Sequence, residues 1–207
     1  MPRRVWTECK RALLRLILWR LVPNSVTVFE REIASAIHDG HPLLSAAFLD
    51  AGGIVTGGLS KKLVLHDGKS KEESELLVSK HGCIRRVVSS GGKLAVGYDY
   101  GCVEVYDERK IAPDCALFTR EIEKGDATIF DLKASEEGFV VGHEHGIDMV
   151  GSDTGRSFNL LQTVSSVRSL ELTEPKEVVF SCDGFGTLGR ATWKLTENEV
   201  PPQEEEE

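Results

Sequence analysis

None of the five cysteines (Cys9, Cys83, Cys102, Cys115, Cys182) stands in a Cys-x-x-Cys pair, and their number is odd. That removes the spacing of a zinc ribbon or a dithiol redox motif and leaves five reduced thiols as the expectation. No G-x-S-x-G, P-loop or dinucleotide fingerprint is present, and nothing in the chain assembles a nucleophile, a base and an orienting group. Net positive charge is missing too. With a formal charge of −8, the chain has no general basic character with which to meet phosphates, which argues against nucleic acid as a partner. Long apolar runs are absent: "KRALLRLILWRLVP" (10–23) is broken by Arg15 and closed by Arg20, too short and too charged to span a bilayer. Helical apolar spacing of three and four is also lacking through the middle of the chain.

What the chain does have is repetition. "HPLLSAAFLDAGGIVTGGLSKKLVLHD" (41–67) and "HGCIRRVVSSGGKLAVGYDYGCVEVYD" (81–107) each have 27 residues, start 40 residues apart and place Gly57 and Gly97 alike. Each divides into short apolar runs separated by turn residues: 43–49, 52–58 and 62–67 in the first copy, and "CIRRVVS", "KLAVGY" and "CVEVYD" in the second. Val, Ile, Leu and Tyr dominate them, which predicts strands. Looser copies follow at 128–153 and 164–195, where "EVVFSCDG" takes the place of "KLAVGYDY". Upstream, "NSVTVFE" (24–30) reads as the closing strand of an earlier unit. A period of about 40–45 residues built from strands points to propeller blades, in which each small sheet buries its faces against its neighbours. The repeated glycines stand where strand leads into turn, a place for positive φ or close backbone approach.

The expected fold is therefore all-β: an incomplete propeller of about four to five blades over 24–195. A basic amphipathic segment (1–23) precedes it, with a helix expected over 7–21. An acidic tail (196–207, ending "PPQEEEE") follows, and its composition predicts disorder. Residues 1–24 carry Arg3, Arg4, Lys10, Arg11, Arg15 and Arg20 against Glu8 alone. This segment reads as a mitochondrial targeting peptide, as a helix packed on the domain, or as an atypical start to a domain lacking its first part.

The copies resemble WD repeats. The opening His (His41, His81), the turn aspartates (Asp99, Asp183) and the closing pairs ending in Asp67 and Asp107 match that pattern, with His66 or Tyr106 where the family has Trp. The resemblance implies a structural His–Asp pair, His81 with Asp99, for which Leu59 leaves His41 no partner. "AFLDAGGIVTGGLSKKLVLHD", "HGCIRRV", "FDLKASEEGFVVG" and "GRATWKL" resemble more closely the mitotic spindle-checkpoint propellers named for budding uninhibited by benzimidazoles. The messenger-RNA-export propellers of the nuclear pore are the rival. Those propellers have seven blades. Here Tyr98 stands for an expected Trp, Ser60 for an Asp, and Ser165 near the place of one family arginine.

That resemblance implies a non-catalytic scaffold, nuclear or cytoplasmic and at kinetochores, that docks checkpoint kinases through a short acidic motif. Its implied partner-binding residues are Arg85, Tyr98, Arg168 and Arg190, with the arginines meeting glutamates and Tyr98 offering a flat platform. No cofactor, metal, nucleic acid or membrane is expected. His143-Glu144-His145 raises a metal site and hence a metal-dependent enzyme as the weaker alternative. Zinc needs three or four ligands, however, and alignment with Tyr98-Asp99-Tyr100 places the triplet in a solvated turn. Finally, an open ring predicts that both flanking blades expose faces of Val, Leu and Ile, and hence that the chain self-associates.

Overall fold

β-branched and apolar residues alternate with turn residues along the chain, and every regular element among the described residues is a strand. The computed structural model describes residues 38–67, 72–122, 127–183 and 187–193. The expected helix over 7–21, the strand-like 24–30 and the acidic tail lie outside them. The first sheet is β1 (Leu43–Phe48), β2 (Ile54–Gly58), β3 (Lys62–His66) and β4 (Glu73–Val78). The second is β5 (Ile84–Ser90), β6 (Lys93–Tyr98), β7 (Cys102–Asp107) and β8 (Phe118–Glu121). The third is β9 (Ile129–Ala134), β10 (Gly138–His143), β11 (Gly146–Gly151) and β12 (Ser157–Gln162). The fourth has three described strands: β13 (Val167–Glu174), β14 (Glu177–Cys182) and β15 (Leu188–Thr192).

All four sheets are antiparallel meanders in chain order. Tight turns make this possible. Between β5 and β6 the loop is Gly91-Gly92 alone, with φ of 58° and 73°, the left-handed geometry that a two-residue hairpin matching strand twist requires. The first strands of successive sheets, β1, β5, β9 and β13, lie beside one another. They are the inner strands of an arc of blades, the incomplete all-β propeller that the repeat predicted. Among the described residues the first and fourth sheets make no comparable contact.

The core lies between sheets. Val55, Leu63 and Leu77 of the first sheet meet Ile84, Leu94 and Val96 of the second. Ala95, Val103 and Val105 meet Ile129, Phe139 and Val141 of the third. Val140, Ile147 and Met149 meet Val167, Leu170, Val178, Phe180 and Trp193 of the fourth. Neighbours along β6 thus point to opposite cores, and β6 is buried on both faces. Each such side chain contributes about 1.5–3 kcal/mol when fully buried.

The repeated glycines mark where sheets come closest. A Cβ on Gly57 would stand 2.3 Å from Ile84, one on Gly97 2.9 Å from Ile129, and one on Gly142 3.1 Å from Val167. Ile84, Ile129 and Val167 are each the first residue of the next inner strand. The repeat therefore records one contact, made three times.

One expectation is corrected in part: the face of the fourth sheet turned away from the third is mixed, not wholly Val, Leu and Ile. Val178 and Phe180 point into the core, so the alternate residues Glu177, Val179 and Ser181 face out beside Thr192, Arg190 and Leu188. Glu177 accepts from the Thr173 hydroxyl and from Arg190. Both contacts favour its ionised form and hold its carboxyl below the ordinary value. At the other end, Thr56, Val64 and His66, on the face of the first sheet turned away from the second, are buried.

Candidate functional site

The inner strands are held at a common level by short bridges. Ser45 Oγ accepts from Val87 N–H at 3.0 Å, linking β1 to β5. Asp131, third in β9, accepts from Arg86 Nε at 3.1 Å and from Leu170 N–H at 2.8 Å, linking β5, β9 and β13. One residue earlier in each inner strand stand Leu44, Arg85, Phe130 and Arg168. These four side chains thus belong to one level at one end of the arc, apolar and cationic in alternation.

Each arginine has a carboxylate from its own sheet. Arg85 donates through Nε to Asp99, the first residue after β6. Arg168 donates through Nε and Nη2 to Asp183, the first residue after β14. In the third sheet the matching residues are Phe130 and Glu144, and in the first Leu44 and Leu59. The Arg168 guanidinium also lies 3.7 Å from the centre of the Phe130 ring, a cation–π contact across two sheets. Arg85 and Arg168 are partly accessible, with side chains 35% and 45% exposed. At this same end, where the inner strands begin, lie the exposed apolar residues Leu59, Val78, Tyr100, Val164 and Leu188.

Two of the expected contacts are not here. Tyr98 is fully buried, so it offers no platform. It ends β6 facing the first sheet, and its hydroxyl donates to Glu104 Oε2 at 2.6 Å. Tyr106 donates to the same oxygen at 2.6 Å. Burial first, and then the Glu104 carboxylate, push the Tyr98 phenol far above its ordinary pKa. Arg190 lies on β15, on the outward face of the fourth sheet, paired with Glu177 and away from the arginine level.

The histidines also differ from expectation. His81 does not pair with Asp99, which Arg85 occupies. Its Nε2 instead lies 3.3 Å from Glu104 Oε1 without hydrogen-bond geometry, and its ring leans on Tyr98 at 5.5 Å. His41 is exposed. The buried histidine of the first sheet is His38. Its Nδ1 stands 2.7 Å from Ser60 Oγ and its Nε2 3.0 Å from Thr56 Oγ1. Thr56 Oγ1 is 2.8 Å from His66 Nε2, and His66 Nδ1 is 3.3 Å from Glu73. With both rings neutral, one direction satisfies the whole chain: Ser60 donates to His38, His38 to Thr56, Thr56 to His66, and His66 to Glu73. Asp107 accepts from Arg109 N–H and so caps the turn after β7, while Asp67, the first residue after β3, donates its N–H to Glu72 O.

His143 is not in a solvated turn. It ends β10, fully buried, with Nε2 3.7 Å from Asp148. His145 is exposed. Among the described residues no three His, Cys, Asp or Glu side chains are grouped to hold a metal.

Sequence reasoning named Arg85 and Arg168, which hold equivalent places in their strands, and did not name Phe130, Asp131 or His38. The signal for the first two was present. Aligning "CIRRVV", "TIFDLK" and "SVRSLE" puts Arg85, Phe130 and Arg168 in one column and Asp131 beside Arg86 in the next.

No protein-family model matches the chain, and no curated protein does. Solved structures do. The computationally designed Ika4 protein is similar with a TM-score of 0.63 at 17% identity, over 74% of this chain and 92% of that one. Sqt1 of Saccharomyces cerevisiae has a TM-score of 0.62 at 15% identity, over 79% of this chain and 49% of that one. U3-55K has a TM-score of 0.58 at 14% identity, over 68% and 43%. The chain thus spans less than half the length of the two natural proteins. All are β-propellers, and at these identities the likeness shows the fold alone.

Proposed function

We propose that this chain is a non-catalytic interaction scaffold that docks an extended acidic segment of a partner protein across the end where its inner strands begin. One observation carries this reading: Arg85 and Arg168 occupy equivalent positions on one level of the second and fourth sheets, with exposed apolar residues around them. Guanidinium groups meet carboxylates in charge-assisted pairs, and apolar neighbours supply contact area. The resemblance to the spindle-checkpoint propellers adds the finer reading, that the partners are checkpoint kinases at kinetochores.

The test is binding of a synthetic acidic peptide to the purified chain. Arg85→Ala with Arg168→Ala is expected to weaken it at least tenfold while leaving the melting transition in place. Unchanged affinity would remove the arginine level as the site. In dividing cells, a tagged chain at kinetochores supports the checkpoint reading, and one at the nuclear rim supports the messenger-RNA-export family instead.

A further inference from the structure

The turn aspartates of WD-like repeats are expected to hold the opening histidine. Here they do something else. Asp99 and Asp183 both turn to an arginine at the same place in their sheets, and the Nε2 of His81, the opening histidine of the second, has no hydrogen-bond partner among the described residues. The first sheet lacks the cation, and there the aspartate position is also apolar, Leu59. Carboxylate and guanidinium stand together in the second and fourth sheets and are both missing from the first, while the third has a carboxylate, Glu144, with Phe130 in the arginine's place.

The consequence for docking is direct. An incoming carboxylate meets a guanidinium that already has a negative partner. At Arg168 the arrangement is tighter: Nε and Nη2 are both turned to Asp183, and the flat face rests on Phe130. A new carboxylate must displace the aspartate or share the cation with it, against like-charge repulsion. One acid gains little by this. Two acids engaging both arginines at once gain by effective concentration. Arg85 and Arg168 stand on inner strands two sheets apart, and Asp131 of the strand between them bonds both Arg86 and the Leu170 N–H, so one short extended segment reaches both arginines.

Resting on the docking role proposed above, we infer that Asp99 and Asp183 are built-in competitors. They hold the two arginines closed to single carboxylates and make the site selective for an extended segment whose two acids reach both arginines at once. The aspartates set the threshold, and the spacing of the sheets sets the ruler.

The experiment uses the full chain and synthetic extended peptides, a set with two glutamates about two to five residues apart and one with a single glutamate. Asp99→Asn and Asp183→Asn keep the side-chain shape and remove the charge. Each is expected to tighten the single-glutamate peptide about fivefold, a size set by one surface ion pair. The double variant is expected to narrow the preference for the two-glutamate peptides. Adding Arg85→Ala to Asp99→Asn should abolish the gain. Unchanged or weaker binding by both Asn variants overturns the inference while leaving the docking role intact, provided that the Arg→Ala variants still lose affinity. If those lose nothing, the docking role fails and the inference with it. A thermal melt on each variant separates loss of the fold from loss of the site.

Discussion

Asp131 accepts a hydrogen bond from the backbone N–H of Leu170 at 2.8 Å, across the boundary between the third and fourth sheets. The same carboxylate holds Arg86 of the second sheet, so a single buried side chain ties three blades. Removing it leaves a buried amide and a guanidinium without their acceptor. Asp131→Ala is therefore expected to cost about 2–3 kcal/mol in urea unfolding. Asp131→Asn, which keeps one acceptor, should cost less. Equal losses from the two would show that the charge and both acceptor oxygens, and not the side chain's volume, are what matter there.

Gly57 faces Ile84 so closely that an added Cβ would stand 2.3 Å from its Cγ2. Gly57→Ala should push the first two sheets apart and destabilise by about 1–3 kcal/mol. In the double variant with Ile84→Ala, the combined cost should fall short of the sum of the two single costs. Strict additivity in chemical denaturation would mean that the sheets have room to give.

His38 gives stability a pH dependence of known sign. Burial foremost, then the neighbouring His66 and Lys62, hold its pKa below the ordinary 6.5, against smaller opposing effects from Glu73 and Asp39. The unfolded chain takes up that proton near pH 6.5, whereas the folded chain does so only at lower pH. The neutral ring's contribution is therefore complete above about pH 6.5 and is lost as the pH falls below it. Denaturation midpoints should drop between about pH 7.5 and 5.5, and His38→Gln should flatten that slope. A parallel slope in the variant would assign the effect to other groups.

Cys102 is buried beside Glu104, and burial first, then that carboxylate, push its thiol up to about 12. Burial also raises the thiols of Cys83 and Cys182. Since the thiolate is the reactive form, maleimide should label Cys102 slowly at neutral pH until denaturant is added. Mass spectrometry of partly labelled native protein that finds Cys102 among the first thiols modified would overturn this.

The architecture was legible because it is written in a short period. Hydrophobic alternation and turn residues recur within each copy, so the strands and their meander followed from local pattern alone. The glycines were legible as a choice between turn and close approach, and Ile84, Ile129 and Val167 decide it for the second. What was not legible depends on which of two neighbouring groups a side chain selects. His38 and His41 stand three residues apart, and only the placement of Thr56 and Ser60 makes the former the buried one. Asp99 had two possible partners in His81 and Arg85, and the strand register gives it to the arginine. Tyr98 is aromatic, polar and next to a turn, as an exposed platform would be, but β6 sends it toward Glu104. The mixed outward face of the fourth sheet was visible residue by residue in "EVVFSC", yet only the sheet's position at the end of the described arc makes that alternation matter.

That face has a kinetic consequence. Glu177, Arg190 and Ser181 turn away from the third sheet, so the fourth sheet's apolar contacts among the described residues lie on one side only. The second and third sheets are gripped on both. In a stack where each member touches only its neighbours, opening starts at the member held on one side. Amide protons of β14 and β15 should then exchange with solvent well before those of β6 and β10. Among the described blades, fraying would then run inward from the fourth under heat, denaturant or mechanical pull.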